Sequence, residues 1–173
     1  MVEAISKSKD RPSDPRNREV VFPAGDPQVG NLLTPINNSA FTKWFLSILP
    51  GYRKGITPLR RGIEAGIFHG YWLINPFAKL GPLRDTDIAD LAGFLSTIGL
   101  IVISSSAIFL YANSNPKEPF VPAGTPEPPA DLKSGAGWNK YATGFLVGGI
   151  GGAVLGYLVV SNVEVIQRLF NLI

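Results

Sequence analysis

The chain has 173 residues and a formal net charge of +3, with 45% hydrophobic residues, 17% charged residues and no cysteine. The charged share falls well below the roughly 25% of soluble domains, and the lack of cysteine excludes disulfides, thiolate metal sites and iron–sulfur ligation by this chain. The positive excess does not indicate nucleic acid as a partner, because the basic residues flank apolar runs instead of forming a stripe interleaved with aromatics.

Residues 1–57 are polar and rich in proline, glycine and asparagine, which dilutes the mean hydropathy of the chain. The opening stretch MVEAISKSKDRPSDPRNREV mixes acidic with basic residues and has no apolar core. It therefore resembles neither a secretory signal nor an acid-poor transit peptide, and insertion is expected to begin at an internal span. Up to about residue 40, prolines and glycines are too closely spaced for a helix, so an extended segment that needs a partner surface is expected. Phe41 to Leu49 (FTKWFLSIL) predicts a short helix. Its Trp44 and Phe45 beside Lys43 suit a membrane interface, and equally a helix packed on its own domain.

Three membrane spans are expected next. Thr57-Pro58 is a helix start, with Thr as N-cap and Pro at the first helical position. The first span, about 58–79, contains the apolar run Gly62 to Ala78, which at 17 residues is at the lower limit for crossing a bilayer and carries Glu64. Asn75-Pro76 is expected to end or kink it. The second span, about 87–112, opens at Asp87 with Asp90 three residues later, an approximate capping box at the positive end of the helix dipole. Within it, Leu91 to Ala112 gives 22 residues without a charge. Ser104, Ser105 and Ser106 lie there with no base nearby in sequence, and read as packing or backbone-bonding residues, not nucleophiles.

Asn113 to Gly137 contains six prolines and predicts a stiff, partly polyproline-like loop. The third span, about 140–163, follows the interfacial pair Trp138 and Lys140, and Tyr141 to Val163 gives 23 residues without a charge. Gly144, Gly148, Gly152 and Gly156 recur every four residues, with Gly149 and Gly151 beside them. Such a strip admits another helix backbone, the simpler reading, or a flat ring. The expected fold is thus an all-α integral membrane protein. It has an extended cytoplasmic region, 1–57, ending in a short interfacial helix, and a three-helix membrane domain, 58–173, with a Pro-rich loop between helices 2 and 3. Arg53, Lys54, Arg60 and Arg61 precede the first span and Lys117, Lys133 and Lys140 separate the second from the third, against Lys79, Arg84 and Arg168 on the other side. This bias places the N-terminus in the cytoplasm and the C-terminus across the membrane.

The polar residues of the first span carry the chemistry. His69 is the only histidine, and it shares the apolar run with Glu64. Ionisable groups at membrane depth are costly and mark function by default, and both side chains are metal ligands. Five helical positions separate the two by about 140° around the axis and about 7.5 Å along it, which does not suit one compact ion. The spacing also fails the i,i+4 pattern of helical zinc sites. A bis-histidine haem would need a second subunit. A magnesium porphyrin needs only one axial donor, so each residue could serve a separate pigment. Ala65, Gly66 and Gly70 near His69 would leave a flat ring clear of bulky side chains, with Tyr71 and Trp72 at its edge or face. Two plainer readings stay open: a hydrogen-bonded histidine at a helix–helix contact, and Glu64 paired with Arg60 or Arg61. Other assignments of the whole chain are a membrane anchor for a haem- or quinone-dependent complex, and a transporter subunit.

The segment LPGYRKGITPLRRGIEAGIFHGYWLINPFAKLGPLRDTD, Leu49 to Asp87, closely resembles the cyanobacterial type of the photosystem I subunit XI family (PsaL). The likeness extends through GDPQVGNLLTPI, the second span, and GW followed by the glycine-rich third span, so it covers nearly the whole chain. It implies a non-enzymatic, three-span subunit of the cyanobacterial thylakoid membrane, with a cytoplasmic N-terminus and a lumenal C-terminus. It also implies chlorophyll a held through magnesium by Glu64 and His69, with β-carotene and membrane lipid nearby. Expected partners are the photosystem I core subunits, small membrane subunits and further copies of the chain around the axis of an oligomer. The GPLRD turn, Gly81 to Asp85, implies an intersubunit Ca²⁺ site through Asp85 and the Pro82 carbonyl, for which an Arg84–Asp85 loop interaction is the alternative. The Pro-rich loop is longer than in typical trimer-forming members and the tail VIQRLFNLI differs, so trimer and tetramer both stay open.

Overall fold

A computed structural model of the chain describes residues 21–118 and 120–170. Residues 1–20 of the expected extended segment and 171–173 of the tail lie outside them. The described chain is helical apart from one two-stranded ribbon, and it forms two compact units.

The first unit comprises residues 21–49 and Phe120–Glu127. Strands β1 (Phe22–Pro23) and β2 (Leu32–Leu33) pair antiparallel around a single 3₁₀ turn, Pro27–Val29, whose first N–H groups are met by the Asp26 carboxylate through Gln28 N at 2.9 Å. Two asparagine side chains then hold the backbone beyond the ribbon. Asn31 Oδ1 accepts from Ala123 N at 2.8 Å, and Asn37 Nδ2 donates to the Leu32 carbonyl at 2.8 Å. Gly124 sits at φ 79°, where a Cβ would stand 2.5 Å from the Asn37 carbonyl, so only glycine fits this crossing of the Pro-rich loop. Helix α1 (Ala40–Ile48) starts at Ser39, which accepts from Thr42 N at 3.1 Å. Phe41, Trp44, Phe45 and Ile48 fall on one stripe of α1 and are all exposed.

The second unit comprises residues 50–118 and 128–170. It contains α2 (Pro58–Leu80), α3 (Ala89–Asn113), α4 (Gly135–Ser161) and the short α5 (Val163–Leu169). α2 and α4 run parallel and all but touch backbone to backbone. A Cβ on Gly66 would lie 2.4 Å from the Phe145 carbonyl oxygen, and one on Gly148 would lie 2.2 Å from that of Ile63. α3 runs antiparallel to both, with Gly93 against Ala78 and Ile101 over Gly149. Ile74, Ile101, Ala142 and Ala153 are buried at the centre. Thr97 and Ser105 are buried as well, and each hydroxyl donates to the carbonyl one turn back, at 2.8 and 2.7 Å, so neither is left unsatisfied. The strip of glycines in the third expected span is therefore used for packing on α2.

α3 and α4 are long and apolar enough to cross a membrane. α2 has 23 residues but carries Arg60, Arg61, Glu64, His69 and Lys79, and does not reach that standard.

α2 runs through Asn75-Pro76 to Leu80, close to the expected end at about 79, with Ala78 buried against Gly93. Two local expectations are corrected. The Asp87/Asp90 capping box does not form. α3 starts at Ala89 behind Ile88, which lends no side-chain cap, since the chain enters the helix through a turn closed by Ala89 N to Thr86 O at 3.1 Å. α4 begins five residues earlier than about 140, at Gly135, with Ser134 as N-cap accepting from Gly137 N at 3.2 Å. Gly137 is needed there because a Cβ would collide with the Asp131 carbonyl at 1.7 Å.

Candidate functional site

The site is carried by the first three turns of α2. Thr57 caps the helix by accepting from Arg60 N at 3.3 Å, and Pro58 takes the first helical position, where its missing N–H has no cost. From that fixed start, residues 58, 61, 62, 66, 70, 74 and 78 face inward. Glu64 and His69 fall outside that stripe.

His69 is exposed on α2, and its Nδ1 lies 2.7 Å from the Ala65 carbonyl oxygen. A carbonyl can only accept, so Nδ1 carries a proton and donates; in the neutral imidazole the lone pair is then on Nε2. The hydrogen bond runs within α2 instead of across a helix–helix contact. The partner helix contributes a ring: Phe145 of α4 lies 5.4 Å from the imidazole centroid at 60°, while Phe68 stands edge-on at 5.9 Å and 79°. Gly66 and Gly70 do not provide the open surface that their spacing from His69 suggested, since both are buried under the α4 backbone. The exposed neighbours are Phe68 and Trp72, whose rings lie 6.0 Å apart, with Tyr71 edge-on to Trp72 at 5.9 Å.

Glu64 is half-buried and shared by two arginines. Arg60 Nε donates to Oε1 at 2.9 Å, one turn back on the helix, and Arg53 NH2 donates to Oε2. Arg61, the other residue expected as a partner, turns inward. It is 2% exposed, and its NH1 donates to the Pro50 carbonyl at 2.7 Å. This bond fastens residues 50–57 along the start of α2 and so delivers Arg53 to Glu64 from eleven residues away. The role of Arg53 carries no local signal, because loop-to-helix pairs lack a helical period.

Pro82 and Asp85 lie in the exposed loop between α2 and α3. Arg84 Nε is 3.4 Å from Asp85 Oδ2, and Arg84 NH1 donates to the Gly81 carbonyl at 3.3 Å. Among the described residues, no group of three or more His, Asp or Glu side chains is close enough to hold a metal ion.

A family model described as photosystem I reaction centre subunit XI matches residues 19–165. A photosystem I reaction center subunit XI from Mastigocladus laminosus is 59% identical over 172 residues, covering 99% of each chain. The protein of that name from Nostoc punctiforme is 56% identical over 173 residues, covering 99% of this chain and all of the relative, and the one from Porphyra purpurea is 48% identical over 142 residues, covering 82% and 88%.

Proposed function

The chain belongs to the photosystem I reaction centre subunit XI family, and on that premise we propose that it is a non-catalytic, three-span thylakoid-membrane subunit that holds antenna chlorophyll a and joins photosystem I monomers. As a photosystem I subunit it associates with the other components of that complex. Chlorophyll, when bound, absorbs light and passes on excitation; the chain contributes placement. The observation that carries the pigment reading is His69. Its Nδ1 proton is committed to the Ala65 carbonyl, so Nε2 of the neutral imidazole would be the atom that holds magnesium, on an exposed face of α2.

Glu64 is the second proposed magnesium ligand. Each of its oxygens already accepts from an arginine, leaving one lone pair apiece, and two guanidinium groups over one carboxylate weaken it as a donor. β-Carotene and lipid tails would lie along the exposed Phe68 and Trp72 rings. Asp85 and the Pro82 carbonyl are proposed as this chain's share of a Ca²⁺ site that neighbouring copies, in a trimer or tetramer, and water complete. α2 is read as the first of the three spans, with its arginines at the membrane surface. The lysine and arginine bias supports an N-terminus in the cytoplasm and a C-terminus in the lumen, and the exposed aromatic stripe of α1 supports an interfacial position for the end of the 1–57 region.

The test is His69→Leu in photosystem I purified in mild detergent. One chlorophyll is expected to be lost or shifted, read from pigment stoichiometry and the low-temperature absorption difference. An unchanged pigment count with an unchanged spectrum would remove His69 from the ligands.

A further inference from the structure

Resting on that pigment reading, we infer that Phe145 of α4 is a positioning residue that sets the plane of the His69 imidazole and hence the orientation of the ring held at Nε2. The hydrogen bond from Nδ1 to the Ala65 carbonyl restrains one corner of the imidazole. Rotation about the bond to the ring is otherwise broad for histidine, because terminal sp³–sp² torsions have shallow wells. The hydrogen bond narrows that rotation, and the Phe145 ring, 5.4 Å from the imidazole centroid at 60°, packs beside it and narrows it further.

Phe145 is itself held. It is 7% exposed, and its ring stacks on Tyr141 at 6.3 Å and 17°. Its backbone lies close against α2: a Cβ on Gly62 would stand 2.7 Å from Phe145 N, and one on Gly66 would stand 2.4 Å from Phe145 O. Two glycines of the helix that carries His69 thus fix the residue that orients His69. A metal held at Nε2 would lie along the lone-pair direction in the imidazole plane, so restraining the imidazole would restrain the tilt of the macrocycle.

The experiment uses the intact photosystem complex and compares low-temperature absorption and linear dichroism. The difference between wild type and His69→Leu defines the band of the His69 pigment. Phe145→Leu is expected to keep that pigment's stoichiometry while shifting the band and changing its dichroism, and Phe145→Tyr, which restores an aromatic face, to return both. Phe145→Met is read in the same way where leucine prevents assembly. If His69→Leu neither removes nor shifts a band, His69 ligation and this inference both fall. If it removes or shifts one, and Phe145→Leu leaves its position and dichroism unchanged, only the inference falls.

Discussion

Glu64 stands between Arg53 and Arg60, and the three side chains range from 27% to 66% exposed. Pairs this open to solvent contribute little singly, so the arrangement acts as a latch more than as a source of stability. Arg53→Gln and Glu64→Gln are each expected to destabilise the folded chain modestly. The double variant should cost less than the sum, with a coupling of about 0.2–1 kcal/mol, measured by detergent-induced unfolding followed through tryptophan fluorescence. Strict additivity would mean that the Arg53 pair does not form. Arg61 behaves differently, because its buried guanidinium donates to the Pro50 carbonyl through NH1 while its Nε has no acceptor among the described residues. Removing Arg61 would release the loop that delivers Arg53.

At the scale of helices, the contact between α2 and α4 is the tightest in the second unit, and two glycines of α4 separate its causes. Gly148 faces the Ile63 carbonyl with no room for a Cβ, whereas Gly151 meets nothing within 4 Å. Gly148→Ala is therefore expected to destabilise by about 1–3 kcal/mol through overpacking. Gly151→Ala should be neutral or stabilise by up to about 1 kcal/mol through helix propensity. The same unfolding assay checks both, and equal effects would contradict the seam. Charge-free runs and the Thr57-Pro58 start made α2, α3 and α4 legible in the sequence to within a few residues. The packing role of the Gly144–Gly156 strip was legible too, because period four puts small residues on one face. What escaped was decided by tertiary contact: α3 starting without Asp87, Gly66 and Gly70 hidden under α4, and Arg53 reaching Glu64. For His69 the sequence exposed a costly donor, while its proton position and the Phe145 ring came only with the fold.

Across the whole chain, basic residues concentrate before α2 and between α3 and α4. The absence of native cysteine allows a direct test of the topology this implies. Lys117→Cys and Asp87→Cys, both at exposed positions flanking α3, are expected to react with a membrane-impermeant thiol reagent from opposite faces of sealed thylakoid vesicles, scored on this subunit after separation. Labelling of both from the same face would show that α3 does not span. The glycine-lined seam has a further consequence for an assembly of this kind. A joint made of main chain has no rotamers to exchange and no side-chain entropy to surrender, so its width cannot drift as side chains hop. Anything mounted across it would keep one geometry from molecule to molecule, and would display a narrow spread of transition energies.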